Sequence, residues 1–140
     1  LRLFENEDHL LVPHMREAAR RVREESGFGP SDIDALYIQD AHASVVPLTL
    51  EHYGFCGEGE ALDFIQDGRI ELGGALPINT HGGQMSEGYM VGWLHNVELF
   101  HQLRGRAGER QVPDCNVAQF CATGGMREFA LSFMYSNSPD

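Results

Sequence analysis

The sequence predicts an α/β domain in which helices cover a mixed sheet, because amphipathic helical stretches separate short apolar strands. Residues 13–26 (PHMREAARRVREES) predict a helix with a narrow apolar stripe, an early proline and a glycine just past its end. Residues 33–39 (IDALYIQ) predict a strand whose middle is continuously apolar, which is typical of a strand covered on both faces. Residues 116–121 (NVAQFC) and 128–135 (EFALSFMY) predict two further strands, joined by the turn ATGGM.

Three more helices complete the predicted layers. Residues 44–53 predict a helix that stops at a glycine, and residues 57–72 (GEGEALDFIQDGRIEL) predict a short helix, an Asp-Gly turn and a brief extended piece. Residues 86–103 carry apolar side chains at three-and-four spacing and predict a long helix. Ser86 is its predicted N-cap, which places Tyr89 in the first turn.

Composition limits the classes of function. The 140 residues suffice for one domain, and 42% of them are hydrophobic, which indicates a folded chain. The net charge of −11 argues against a nucleic-acid partner, and the apolar runs are too short to span a membrane. The three cysteines form no CxxC pair, so we expect no disulfide framework and a reducing, cytoplasmic setting.

The stretch LPINTHGGQMSEGY, residues 76–89, is the least generic part of the chain. Gly82 and Gly83 permit a turn with positive φ and a close approach of the backbone to a ligand. The turn leads into the predicted helix, whose unpaired N–H groups favour an anion or a developing oxyanion, and His81 is placed to donate into the same space. The alternative is a plain connecting turn with His81 on the surface.

Four further residues are candidates for acid–base chemistry or binding. Cys121 precedes a Gly-Gly turn whose N–H groups lower a thiol pKa, although free cysteines often only fill space in a core. Tyr89 is placed either to exchange a proton with a substrate oxygen or to pack in the core. Gln39 and His42 follow the first strand at its carboxyl end, the edge at which open α/β sheets bind ligands.

Taken in chain order, these blocks resemble the C-terminal domain of the thiolase superfamily. The family's strand end, its Asn-x-x-Gly-Gly turn, its Gly-His-Pro helix start and its Cys-x-Gly-Gly-Gly turn have counterparts in GFGPSDIDALYIQDAHAS, LPINTHGGQMSEGYMVG and FCATGGM. The resemblance spans about residues 13 to 135 and implies a thiolase-like layered fold. NTHGG followed by SEGY is most similar to the lipid-transfer, sterol-carrier-type branch, which includes aldolases that shorten steroid side chains held as CoA thioesters.

The resemblance also implies roles for individual residues. The histidine of Gly-His-Pro falls at Tyr89, so Tyr89 is expected to transfer the proton, and Cys121, which matches the acid/base cysteine of thiolases, is expected to help or substitute. His81 and Gln39 are expected to donate to the thioester oxygen or to an ordered water. The residues expected to shape the substrate pocket are Gly82, Gly83, Gly124, Gly125 and His42. The implied chemistry makes or breaks a C–C bond beside a coenzyme A thioester, which is the substrate, and needs no metal and no covalently bound cofactor.

By the same resemblance, residues 1–140 are a partial C-terminal domain, and the N-terminal domain with its nucleophilic cysteine is absent from this chain. We therefore expect a piece of a longer protein, or a homo-oligomer or hetero-oligomer with a partner subunit. Three functions stay open: an acyltransferase that depends on Cys121, a retro-aldolase that depends on Tyr89, and a non-catalytic acyl-CoA- or lipid-binding or scaffold subunit.

Overall fold

The computed structural model describes residues 13–124 and 129–137, which form a layered α/β fold and confirm the predicted class. The elements in chain order are helix α1 (Pro13–Ser26), strand β1 (Ala35–Ile38), helices α2 (Val45–His52), α3 (Ala61–Gln66) and α4 (Trp93–Leu103), and strands β2 (Val117–Gly124) and β3 (Phe129–Ser136). Short 3₁₀ turns occur at Pro30–Asp32 and Gly108–Arg110. Within the described ranges no helix has the length and apolar content required to cross a bilayer.

The three strands form a mixed sheet in the order β1-β2-β3. Strands β1 and β2 are parallel, with Ile38 opposite Cys121, and β2 and β3 are antiparallel, with Gly124 opposite Phe129. On the other side of β1, Ile78 forms an isolated parallel bridge with Leu36. The chain therefore leaves β1 and enters the NTHGG segment at the same edge of the sheet.

Alternating side chains divide the sheet into two packed faces. One face is covered by α1 and α2, and its buried cluster includes Met15, Leu50 and Cys121. The opposite face is covered by α4, and its cluster includes Leu99 and Phe120. All four residues of β1 are buried, as expected of a strand covered on both sides.

Two predicted segments are wrong. Helix α4 begins at Trp93 and not at Ser86, so Ser86 caps no helix and Tyr89 lies in a loop instead of a first helical turn. Val91 (φ 50°) and Gly92 (φ 82°) have left-handed backbone conformations, which a right-handed helix cannot contain. The brief extended piece predicted after the Asp-Gly turn is also wrong, since residues 69–72 form turns and no strand.

Candidate functional site

A cavity of about 770 Å³ lies on the α4 side of the sheet. Aromatic rings form much of its wall: Phe120 from β2, Phe133 and Tyr135 from β3, and Trp93 from the first turn of α4. This volume falls within the range of pockets that bind small molecules. The cavity is therefore suited to a ligand with a large apolar body.

A few polar groups line the same cavity. Gln39, which is 8% exposed, and His42 reach it from the carboxyl end of β1, and Tyr89 reaches it from the loop before α4. Asn96 accepts a hydrogen bond from the Tyr135 hydroxyl at 3.2 Å. Gln39, His42 and Tyr89 were all predicted site residues, and the fold brings them together with Gly124 around one cavity.

No residue of the NTHGG segment lines this cavity, and Thr80 in the segment belongs to a network of polar side chains. Thr80 accepts a hydrogen bond from the Tyr37 hydroxyl at 2.9 Å and donates to the Glu98 carboxylate at 2.9 Å. Arg110 holds Glu98 through two hydrogen bonds of 2.9 Å. Burial works against the ionised form of Glu98, but the hydrogen bonds from Arg110 and Thr80 outweigh it and lower the pKa of this carboxyl.

The side chain of His81 in this segment is 3% exposed. Its ring packs edge-on against His95, with centroids 4.7 Å apart. Neither ring nitrogen has a hydrogen-bond partner among the described residues. Burial, together with repulsion from His95, lowers the pKa of His81, so the ring is neutral at pH 7.

The two glycines of the segment are required by internal contacts. Gly83 has φ 70°, and a Cβ placed on it would overlap the carboxylate of Asp40. Gly82 has φ 98°, and a Cβ placed there would lie 2.6 Å from the Ser86 side chain. At Gly83 the group that lies close to the backbone is the Asp40 side chain. The predicted approach of the two glycines to a ligand stays a prediction.

Cys121 lies on the face of the sheet away from the cavity. Its neighbours in β2, Phe120 and Ala122, line the cavity, while the Cys121 thiol lies 3.6 Å from the Ser132 hydroxyl. Burial raises the pKa of the Cys121 thiol to about 12. The fold thus separates Cys121 from Tyr89 and gives it the character of a core cysteine.

Gly125, the remaining predicted residue, lies outside the described residues. Within residues 13–124 and 129–137, no group of three or more His, Cys, Asp or Glu side chains is arranged to hold a metal ion. No covalent cofactor site was predicted, and the cavity is the part of the described chain that is suited to a small organic ligand.

The sequence alone predicted no function for the buried polar side chains of α4. His95, Glu98 and Gln102 are 2%, 4% and 0% exposed and occupy the same helix face as the core residue Leu99. A signal was available, because polar side chains at core spacing on a helix need buried partners. Asp40, the main partner of His95, was noted only as part of the strand end.

Comparison with known proteins supports the resemblance. The model of a family described as "Thiolase C-terminal domain-like" matches residues 2–137. The chain is 46% identical over 94 residues to the 17-hydroxy-3-oxo-4-pregnene-20-carboxyl-CoA lyase of Mycobacterium tuberculosis, covering 67% of this chain and 24% of the lyase. It is 40% identical over 113 residues to a steroid side-chain-cleaving aldolase of Thermomonospora curvata, covering 81% of this chain and 29% of that protein.

Two further matches come from a carrier protein and a solved structure. The chain is 42% identical over 106 residues to sterol carrier protein 2 of Rattus norvegicus, covering 74% of this chain and 19% of that protein. The solved structure of an Ltp2-ChsH2(DUF35) aldolase superposes with a TM-score of 0.86 at 34% identity, covering 96% of this chain and 35% of that chain. The chain thus spans about a quarter of the length of the two lyases. On these matches and on the fold, the chain belongs to the thiolase C-terminal domain-like family.

Proposed function

We propose that this chain is the C-terminal, thiolase-like part of a retro-aldolase that cleaves a C–C bond beside a CoA thioester in lipid or steroid metabolism. The observation that carries the proposal is the position of Tyr89 and Gln39 on the wall of a large cavity whose other walls are aromatic. The relatives named as a CoA lyase and as a steroid side-chain-cleaving aldolase support the reaction class and the thioester.

In the proposed reaction, the hydroxyl on the β carbon of the thioester loses its proton, and the oxygen electrons form a carbonyl. The Cα–Cβ bond breaks, and its electron pair passes to Cα as the enolate of the shortened thioester, which then takes up a proton. Tyr89 in its ionised form accepts this proton from the hydroxyl and then, as the neutral phenol, returns it to Cα, which restores the starting state of the side chain. Gln39, and His42 beside it, donate hydrogen bonds to the oxygens on which negative charge develops.

The proposal assigns proton transfer to Tyr89 and not to Cys121. Tyr89 is 66% exposed and reaches the cavity, whereas Cys121 is 2% exposed and lies on the other face of the sheet. In an acyltransferase the thiol would have to titrate near neutral pH, and its raised pKa argues against that role.

We include in the proposal a second thiolase-like unit or partner subunit that completes the site, because much of the cavity's apolar wall is exposed in this chain. Trp93 is 69% exposed and Phe133 is 50% exposed. The Ltp2-ChsH2 neighbour, which contains two kinds of chain by name, supports a partner. A cytoplasmic location also belongs to the proposal, and the three free cysteines support it.

The test uses the full-length protein with any partner that it requires. We expect a 3-hydroxyacyl-CoA to yield a carbonyl product and a shortened acyl-CoA, both detected by mass spectrometry. Tyr89→Phe is expected to lower kcat about 100-fold or more, and Cys121→Ala, the matched control, is expected to change it little. The reverse order, with turnover of acetyl-CoA plus acyl-CoA, would identify an acyltransferase.

The competing function is a non-catalytic acyl-CoA- or lipid-binding subunit. The aromatic cavity and the similarity to sterol carrier protein 2 favour it as the second candidate. Saturable binding of an acyl-CoA without any turnover, unchanged by Tyr89→Phe, would establish this function in place of the aldolase.

A further inference from the structure

The loop that carries Tyr89 has no regular secondary structure of its own. Residues 81–92 form turns and irregular backbone between Thr80 and the start of α4. Tyr89 is 66% exposed, so side-chain packing contributes little to its position. A proton donor must be held close to its reaction geometry, and at Tyr89 that precision has to come from the loop backbone.

Asp40 contacts the chain on both sides of Tyr89, once in this loop and once in the first turn of α4. Its Oδ1 accepts a hydrogen bond from the Gln84 N–H at 2.7 Å, five residues before Tyr89. The same oxygen lies 3.0 Å from Nε2 of His95, in the first turn of α4, and we assign the ring proton to this nitrogen. Residues 85–94 thus lie between two points that are fixed to one carboxylate oxygen.

The Asp40 carboxylate is closely packed by its surroundings. Asp40 is 9% exposed, and Gly83 packs so closely against it that no other residue fits at that position. Asp40 directly follows Gln39, which lines the cavity. The chain that follows β1 therefore supplies the cavity residue Gln39 and, next to it, Asp40, whose carboxylate holds the loop that carries Tyr89.

We propose that Asp40 is a positioning residue for the reaction, whose carboxylate fixes both ends of the loop that bears Tyr89 through the Gln84 N–H and the His95 ring. The inference rests on the function proposed above for Tyr89. Asp40 touches no substrate in this account and acts through the loop. Hydrogen bonds to a charged acceptor are about twice as strong as neutral ones, which explains why a carboxylate is used.

The test compares Asp40→Asn with Asp34→Asn in the full-length protein. Asp34 is a matched control, because its carboxylate likewise has two hydrogen-bond donors, here the backbone N–H groups of Asn116 at 2.8 Å and Val117 at 2.9 Å, at the opposite end of β1. For Asp40→Asn we expect kcat to fall about 10-fold to 100-fold with KM changed less than about threefold, and amide exchange at Gln84 to accelerate about tenfold or more. Asp34→Asn is expected to lower the unfolding midpoint and to leave kcat and Gln84 exchange unchanged.

His95 provides a second, independent variant pair. His95→Gln keeps a donor for Asp40 and is expected to retain most of kcat, whereas His95→Leu is expected to lose about as much as Asp40→Asn. Equal losses of kcat in Asp34→Asn and Asp40→Asn would overturn the inference, since they would indicate general destabilisation of the fold. Unchanged Gln84 exchange in Asp40→Asn would overturn it too. If the wild-type protein turns over no 3-hydroxyacyl-CoA, the proposed function fails, and Gln84 exchange still decides whether Asp40 holds the loop.

Discussion

The side-chain amide of Asn79 pairs with the backbone of Ile38 in both directions. The Ile38 N–H donates to Asn79 Oδ1 at 2.9 Å, and Asn79 Nδ2 donates to the Ile38 carbonyl oxygen at 2.9 Å. Asn79 has φ 48°, a left-handed conformation that asparagine adopts more readily than most residues. This one side chain therefore attaches the NTHGG segment to the end of β1.

We expect Asn79→Ala to lower the free energy of unfolding by about 2–4 kcal/mol, because two buried backbone groups lose their partner and alanine is strained at positive φ. Urea denaturation measures the change. Asn116→Ala is the control, since the exposed Asn116 amide donates only to the nearby Asp114 carbonyl oxygen, and its removal should cost less than about 0.5 kcal/mol. Similar values for the two variants would contradict the anchoring role of Asn79.

Glycine substitutions in the loop should separate strained from unstrained positions. Gly83→Ala is expected to destabilise the fold by about 2 kcal/mol or more and to lower turnover, because the new Cβ overlaps the Asp40 carboxylate at a positive φ. Gly88→Ala, in the same loop, has open space around its Cβ and no positive φ, so we expect wild-type stability. Thermal unfolding and kcat of both variants test the pair, and a stable, active Gly83→Ala would show that the loop tolerates displacement of Asp40.

The Cys121 thiol should be inert in the folded protein. Its pKa is raised to about 12 by burial, so little thiolate forms at pH 8, and we expect Cys56, which is partly exposed, to be alkylated well before it. Because the pKa of this thiol is higher in the folded protein than in the unfolded chain, its contribution to stability is fully present below about pH 8.5. That contribution is lost as the pH rises from about 8.5 through 12. Peptide mass spectrometry after timed alkylation tests the order, and early labelling of Cys121 would restore it as a candidate acid–base group.

The spacing of apolar residues correctly predicted elements whose apolar side chains pack in the core. The apolar stripe of helix α1 packs in the core, as do the apolar residues of β2, and the limits of α1, β2 and β3 lie within a few residues of the prediction. The start of α4 was missed because Tyr89 and Met90 continue the helical apolar spacing of Trp93 and Leu94 although they belong to a loop. Apolar spacing records burial or ligand contact, and it does not distinguish a helix face from the wall of a cavity.

The candidate site was predictable where residues follow one another in the chain and not where the fold brings distant residues together. Gln39 and His42 were found because they follow a strand at its carboxyl end. The pairing of Asp40 with His95 joins residues 55 positions apart, and nothing in either local sequence specifies it. The side of the sheet on which Cys121 lies depends on strand register, which local motifs leave undetermined.

Association with a second thiolase-like unit or partner should depend on the exposed apolar face beside the cavity. Phe133→Glu places a charge on this face, and we expect it to convert the assembled protein, measured by size-exclusion chromatography with light scattering, to smaller species. Leu62→Glu is the control, since Leu62 is 63% exposed on α3, away from the cavity, and should leave assembly unchanged. A wild-type protein that is monomeric and fully active would contradict the prediction.

The last prediction concerns the stability cost of the buried His81 imidazole, whose ring nitrogens have no hydrogen-bond partner among the described residues and whose Nε2 lies 4.0 Å from a Glu87 carboxylate oxygen. Because its pKa is lowered in the folded state, the folded protein takes up this proton less readily than the unfolded chain does. The stability that depends on neutral His81 is therefore present above about pH 6.5 and is lost as the pH falls through that value towards the lower folded pKa. His81→Phe keeps an aromatic ring at this position and removes both ring nitrogens that lack a hydrogen-bond partner. We therefore expect an equal or higher free energy of unfolding at pH 7 and a smaller decrease of it between pH 7 and 5. His14, whose pKa is also lowered by burial, keeps its own part of the acid sensitivity in both proteins.

If His81 donates to the substrate oxygen, as the sequence predicts, His81→Phe should lose about 100-fold in kcat while its urea midpoint is unchanged or raised. Unfolding curves from pH 5 to 8 test the expected change in pH dependence, and wild-type pH dependence in His81→Phe would contradict the lowered pKa of His81. The kcat of the variant decides between a functional imidazole that is kept at a cost in stability and a ring that only fills space, for which turnover would stay as in the wild type.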